Sequence, residues 1–407
     1  MSRNPSESRS KSPMKSALEG IRILDVSRFI AGPFCAQILG DMGAEVIKVE
    51  GSEGEPARHI SPIVHGESLY FLTYNRSKKG VTINVRHSKG QALLKELMAK
   101  SDILIENFRP GVMDKMGLDP ETIEKEYPHL IHATVLGFGR EGPYSGLPCF
   151  DEIGSAMGGL MSICGWSDGP PTLPGTYAAD LSSGLYLAIG ILLSLRVREK
   201  TGRGQKVDVA LFNSVFSLLH SALPELHLLG KVMSRTGNQN RGIAPGNAYK
   251  TKDGYIVIEA ITQGMWESLV KLMGKTELLQ DPRYKNPSER KRHADSIDAI
   301  VAEWVKTHNV QPLFKLLSEA GIACGPVQNI SQVVNDPQLK SNGQITFVKH
   351  EKLDEVPLAG VVVKLSHTPG RIQAPPPMLG QHNHQVFADL LGYSREEIKA
   401  LSKEGAI

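Results

Sequence analysis

Residues 21–50 read IRILDVSRFIAGPFCAQILGDMGAEVIKVE. An apolar run, a short turn, a helical stretch and a second apolar run follow one another. The pattern predicts a strand at Ile21–Val26, a turn at Arg28–Pro33, a helix at Phe34–Met42 and a strand at Ala44–Glu50. Pro33 suits the start of that helix, where its missing N–H costs nothing. Downstream, the spacing predicts a helix over Lys89–Ser101, a strand over Ile103–Glu106, a helix over Pro120–Tyr127 and a strand over Leu130–Val135. A strand at Gln205–Leu211 and a helix at Asn213–Leu228 continue the series. Alternation of this kind implies an α/β fold with a parallel sheet. Glu50 ends the second strand, where a dinucleotide-binding fold places its ribose-holding acid. The turn before the helix lacks G-x-G-x-x-G, so the sequence encodes no close backbone cradle for a pyrophosphate of that type.

The texture changes between residues 225 and 340. GNAYKTKDGYIVIEA reads as a hairpin turning at Lys252-Asp253-Gly254, and helical segments follow at Thr262–Met273 and Arg292–Thr307. These features predict a smaller α+β domain over 225–340. A chain of 407 residues is too long for one simple core. Residues 1–16, MSRNPSESRSKSPMKS, are rich in Ser, Lys, Arg and Pro, and the composition predicts a disordered tail rather than a secretory signal. The longest apolar run, Leu185–Leu195, is about half of what a bilayer requires and reads as a buried helix, so no membrane partner is expected.

Bulk properties narrow the functional classes. Hydrophobic residues make up 41% and charged residues 22%, an ordinary globular balance, and a net charge of +3 is too small to argue for nucleic acid. The four cysteines (Cys35, Cys149, Cys164, Cys324) form no C-x-x-C pair and read as thiols of a reducing, cytoplasmic compartment. The 13 histidines show no metal-ligand spacing. His382 and His384, two apart, read as structural or surface residues, and no metal is expected.

Chemistry concentrates in residues 175–211, GTYAADLSSGLYLAIGILLSLRVREKTGRGQKVDVAL. Asp180 opens a long apolar helix, where free N–H groups and the helix dipole favour an ionised carboxylate. Such a group can act as a nucleophile toward an activated acyl group, or it can simply cap the helix. Asp180 and Gly184, followed by Arg198, Lys200, Thr201, Gly202, Gly204 and Gln205, resemble the signature of the family III (CaiB/BaiF-type) CoA-transferases. PPPMLGQHNHQVFADLLGYSREEIKAL, from Pro375 to Leu401, resembles the C-terminal signature of the same family, and the likeness runs from about Leu18 to Ile407.

The resemblance implies a Rossmann-like large CoA-binding α/β domain made from both chain ends, 17–224 and 341–407, with the small α+β domain inserted between them, and two subunits threaded through one another. It implies that Asp180 carries the acyl group through an aspartyl anhydride and an aspartyl-CoA thioester, with acyl-CoA and a carboxylic acid as reactants. Coenzyme A is then substrate and product, and no tightly bound cofactor is expected. On the same ground Ala31, Arg86, Asn107, Phe108, Arg109 and Lys115 are CoA contacts. Arg58 matches an arginine of members that handle dicarboxylates, which suggests a succinyl-CoA-type donor. Where many members carry Arg after the second strand, this chain has Gly51, so the adenosine-side cation is either absent or supplied by Arg28, Lys78 or Lys79. Met157–Gly159 and Gly237–Gly246 offer backbone N–H groups or a lid, or are plain turns.

Two alternatives stand beside the homodimeric transferase. An α-methylacyl-CoA racemase would need a histidine where PCFDEI (148–153) has Phe150, which cannot move a proton. A two-chain transferase is the other, in which this chain, having Asp180, is the catalytic subunit.

Overall fold

A computed structural model of the protein describes residues 16–407. The expected tail falls outside the described residues except for Ser16. Six parallel strands form the main sheet: β1 (Arg22–Asp25), β2 (Glu45–Glu50), β3 (Lys78–Thr82), β4 (Ile103–Glu106), β5 (Ile131–Leu136) and β6 (Lys206–Ala210). They lie in the order β3-β2-β1-β4-β5-β6, with Ile23 registered against Val46 on one side and Ile103 on the other. The strand order reverses at β1 and β4. In open α/β sheets that reversal leaves a crevice at the strands' carboxyl ends, where ligands bind.

Both faces of the sheet are covered, which is why its inner strands read as unbroken apolar runs. On one face, Ile23, Ile105 and Ala133 pack with Cys35 and Leu39 of α1 (Ala31–Asp41). On the other, Leu24, Ile47 and Leu104 pack with Leu93 and Leu97 of α2 (Ser88–Ala99) and with Phe387 and Leu401 from the C-terminal segment. That segment also closes the outer edge of β3. Gly80 N–H donates to His382 Nδ1 at 3.0 Å and Thr82 N–H to Asn383 Oδ1 at 2.8 Å, which leaves less open edge for another chain to pair with.

β3 was absent from the sequence reading. Its segment, KKGVT, opens with two lysines and looks like a solvated loop. In the fold Lys78 is buried, with its Nζ 2.8 Å from Asp25 Oδ2, and Lys79 pairs with Glu45 at 2.7 Å. Partners from distant parts of the chain neutralise charges that no local pattern pairs.

The long helix also differs from expectation. It follows α3 (Asp151–Met157), and α4 spans Ala178–Thr201. By length and composition alone it would suffice to cross a membrane. Here one face, including Gly184, Leu187, Ile191 and Leu195, is buried in the sheet-side core. Gly184 permits that approach, because a Cβ there would lie 2.7 Å from Ala31 O. The opposite face is open: Leu185 is 50%, Ile189 53% and Leu193 61% exposed. The run expected to be buried is therefore buried on one side only, since one helix can bring only one stripe to a sheet.

Contacts divide the chain into two compact units. The larger holds the chain up to Leu160, Gly175–His220 and Lys340–Ile407, and the smaller holds Met161–Pro174 and Ser221–Leu339. The sequence reading kept 161–174 with the larger domain. Gly237 N–H donating to Gly165 O, and Arg235 bonding Trp166 O and Gly169 O, tie that segment to the smaller unit. The single helix expected at Asn213–Leu228 is two, α5 (Leu211–Ser217) and a helix at Ala222–Leu229, and the chain changes units at the break. Within the smaller unit, antiparallel strands β7 (Gly246–Lys250), β8 (Tyr255–Glu259) and β9 (Ala323–Pro326) lie in the order β9-β8-β7. Trp266, Leu269, Ile297, Val301 and Leu313 fill its core.

Candidate active site

A cavity of about 1110 Å³ opens in the larger unit, lined by the segments that follow β1, β3, β4 and β5 and by the start of α4. Ala31, Arg86, Asn107, Phe108, Arg109, Lys115 and Asp180 all line it, although they come from five separate stretches of chain. Arg58 does not. Its guanidinium makes two 2.7 Å bonds to Glu50, reaches Pro377 O at 3.0 Å and sits 3.8 Å above the Phe71 ring. A cation so occupied is not available to a substrate carboxylate. The same pair occupies Glu50, which explains how a Rossmann-like acid can stand at the end of β2 without a ribose to hold.

Asn107 lines the cavity and also joins two loops. Arg28 N–H donates to its Oδ1 at 2.8 Å, and its Nδ2 donates to Arg28 O at 2.7 Å. The amide ties the β1 and β4 loops together across the strand-order reversal, so it shapes the cavity wall with both ends of its side chain engaged. Phe108 lies under the Arg28 guanidinium, 5.0 Å from ring centroid to carbon.

Arg28, Arg86, Arg109 and Lys115 line the cavity and have no carboxylate partner among the described residues. Leaving four cations unpaired around one concavity suits a polyanionic ligand, which supplies the missing charge. Arg28 and Arg86 also line an adjoining hollow of about 470 Å³ beside Gly51 and Ser52. They stand beside the position where Gly51 replaces the expected arginine. Lys78 and Lys79, the other substitutes considered, are held by Asp25 and Glu45.

Asp180 is the third residue of α4, not its cap. Tyr177 holds the N-cap position and makes no side-chain cap bond. The cap comes from α3: Asp151 Oδ1 accepts from Ala179 N–H at 2.7 Å and from Asp180 N–H at 3.0 Å. The Asp180 carboxylate is partly buried and accepts no hydrogen bond among the described residues. Burial, then the charges of Asp151 and Glu152, push it up to about 7. The sequence argument had the helix start holding Asp180 ionised. Burial and two neighbouring acids prevail, and Asp151 already occupies the N–H groups that would have helped. Burial raises Asp151 as well, against the two bonds from α4.

Four rings that the sequence reading did not assign to a substrate wall complete this end of the cavity. Tyr70 and Tyr177 meet edge to face at 5.9 Å, and Phe29 and Phe150 at 5.4 Å. Phe29 has φ of +65°, rare for a residue with a bulky side chain. Its N–H donates to Glu55 Oε2 at 2.7 Å, and Glu55 Oε1 is 2.8 Å from Lys48 Nζ. Tyr70 and Tyr74 stand at helical spacing in LYFLTY, a pattern indistinguishable from core packing until the site is seen. Met157–Gly159 does not line the cavity. Gly158 N–H is bonded to Gly154 O at 2.8 Å, which makes that segment the end of α3. Among the described residues no group of His, Cys, Asp and Glu could hold a metal ion.

Comparison with known proteins agrees with this architecture. The chain matches CoA-transferase family III over residues 18–383. It is 37% identical to a succinyl-CoA–D-citramalate CoA-transferase of Chloroflexus aurantiacus, over 96% of this chain and 98% of the relative. It is 35% identical to a human succinyl-CoA:glutarate CoA-transferase, over 96% of this chain and 90% of that one. Among solved structures, a CaiB/BaiF family protein from Brucella suis superposes with a TM-score of 0.84 at 33% identity, covering 93% of this chain and all of that one.

Proposed function

The chain belongs to CoA-transferase family III and is a CoA-transferase, and we propose that it works through covalent catalysis by Asp180. The carrying observation is a carboxylate that has no hydrogen-bond partner among the described residues, set in the wall of a large cavity that also holds four cations without a carboxylate partner among them. In the first step an Asp180 oxygen attacks the thioester carbonyl carbon, the C–S bond breaks, and CoA leaves as thiolate. The thiolate then attacks the aspartyl carbonyl of the anhydride, releasing the donor acid as carboxylate and leaving an aspartyl-CoA thioester. An acceptor carboxylate attacks that thioester and expels the thiolate, which attacks the new acyl carbon and frees Asp180. Charge and atoms balance without a metal or a redox partner.

Arg28, Arg86, Arg109 and Lys115 hold the phosphates of CoA in this reading, while Asn107 holds the loops that present them. The succinyl-type donor expected from the sequence rested on Arg58, whose pairing with Glu50 removes the cation on which that expectation depended. The racemase alternative would need a proton carrier at Phe150, and a phenyl ring has none. We also propose a homodimer in which a second copy covers the open apolar stripe of α4, and a reducing compartment for the four free thiols.

The test is exchange of an isotopically labelled acid into its own CoA thioester. Asp180→Asn should abolish that exchange, and hydroxylamine trapping of the wild type should mark the peptide containing Asp180. Exchange at the wild-type rate in Asp180→Asn, or a label mapped only elsewhere, would remove the covalent role. In deuterium oxide without an acceptor acid, a 2-methylacyl-CoA should keep its α-hydrogen; rapid deuteration with inversion would restore the racemase.

A further inference from the structure

The cavity wall carries two kinds of side chain, cations and aromatic rings. Arg86, Arg109 and Lys115 come from the loops after β3 and β4, and the Arg28 guanidinium turns onto Phe108 of the β4 loop. None of these cations offsets the upward push on Asp180, whose electrostatic neighbours are Asp151 and Glu152. The four rings are all linked to Asp180. Tyr177 precedes it by three residues at the N-cap of α4, and Tyr70 stacks on Tyr177 and feels the Asp180 charge. Phe150 directly precedes Asp151, the residue that caps the Asp180 helix, and Phe29 stacks on Phe150.

We infer that the acyl group placed against Asp180 is uncharged and aromatic, so that the acids exchanged are aryl-bearing monocarboxylates rather than dicarboxylates. This inference rests on the transferase reading above. A second carboxylate on the substrate would approach Asp180 and its acidic neighbours Asp151 and Glu152, with Arg58 committed to Glu50. Removing such a charge from water without a partner is costly. Burial and the Asp180 charge raise the Tyr70 hydroxyl, which therefore stays protonated. It can donate one hydrogen bond but brings no positive charge. The perpendicular pairs, Phe29 on Phe150 and Tyr70 on Tyr177, leave ring faces and edges available, and an aromatic acyl group can continue either arrangement. The +65° φ of Phe29, held by Glu55 and Lys48, fixes the ring's direction before substrate arrives.

The test separates binding from transfer. Two non-transferable thioethers, S-benzyl-CoA and S-(2-carboxyethyl)-CoA, compete for the intact protein. Phenylacetyl-CoA and succinyl-CoA are each assayed for exchange with their own labelled acids. S-benzyl-CoA is expected to bind at least tenfold more tightly, and phenylacetyl exchange to exceed succinyl exchange at least tenfold in kcat/KM. Phe150 is 54% exposed, so its replacement should not endanger the fold. Phe150→Ala should lower the ratio of phenylacetyl to succinyl exchange about tenfold, and Phe150→Arg should turn the preference toward succinyl-CoA. Equal binding of the thioethers, or faster exchange with succinyl-CoA, would overturn the inference and leave the transferase reading in place. Preferential S-benzyl-CoA binding with no exchange of either thioester would uphold the aromatic pocket and overturn the covalent reading.

Discussion

In the proposed reaction Asp180 meets two opposed requirements. Attack on a thioester needs an ionised carboxylate, yet burial and the acids Asp151 and Glu152 raise the group to about 7. Catalysis should therefore fail on the acid side. kcat/KM is expected to fall tenfold per pH unit below about 7, and a flat profile from pH 5 to 8 would exclude Asp180 as the ionising group. Asp151→Asn keeps an oxygen for the two α4 N–H groups but removes a charge, so the acid limb should move to lower pH with little loss of fold. Asp151→Ala removes the cap as well and should cost about 1 kcal/mol of stability. Stability follows the opposite sign to activity. A carboxyl group raised in the folded state holds its proton longer there than in the unfolded chain, where the ordinary value is 3.8. The native state thus bears the full cost of the charge above pH 7, and the cost shrinks as pH falls toward 4. Asp180→Asn should accordingly stabilise the protein by about 1–3 kcal/mol at pH 8. Thermal unfolding of the two proteins at pH 8 and pH 4.5 checks this, and a gain that grows at low pH would contradict it.

At the scale of elements, local pattern announced β1, β2, β4 and β5, because each is an apolar run bounded by turn residues and buried on both faces. β3 was invisible because Lys78 and Lys79 obtain their partners, Asp25 and Glu45, only through the sheet itself. The site was legible to the same degree. Lys115 and the residues around Asp180 and Asn107 could be matched to a family signature, and the cavity gathers them. The fate of Arg58 and the capping of α4 by Asp151 depend on contacts between residues distant in sequence, 8 and 28 or 29 positions apart, that no spacing rule encodes. Gly184 shows how an element's placement acts on the site. A Cβ there would sit 2.7 Å from Ala31 O and 3.0 Å from Phe34 Cδ1, so α4 would have to back away from α1. Gly184→Ala should cost about 1–3 kcal/mol by overpacking and lower kcat, because Asp180 lies one turn away. An unchanged melting temperature would show that α1 yields without strain.

For the molecule as a whole, a net charge of +3 says little, but the distribution of charge says more. Most buried or half-buried cations of the larger unit are matched with acids, as in Lys48–Glu55, Arg76–Asp41 and Lys78–Asp25, while those around the cavity are left free. Affinity for CoA should therefore fall with added salt, and Arg86→Ala should weaken it about tenfold, or ~1.4 kcal/mol. Apolar surface is distributed just as unevenly. Leu185, Ile189, Leu192, Leu193 and Val197 of α4 form an exposed stripe at helical spacing, on the side turned away from the sheet. Water contact along such a stripe is unfavourable at about 25 cal/mol per Å², and a second copy of the chain would relieve it. Leu193→Glu, at the most exposed of these positions, places a charge in the middle of that contact. The variant should sediment at the mass of one chain, or fail to assemble during folding if the two chains are threaded through each other. A Leu193→Glu protein that keeps twice the chain mass and the wild-type melting temperature would show that the proposed contact between copies does not use this stripe.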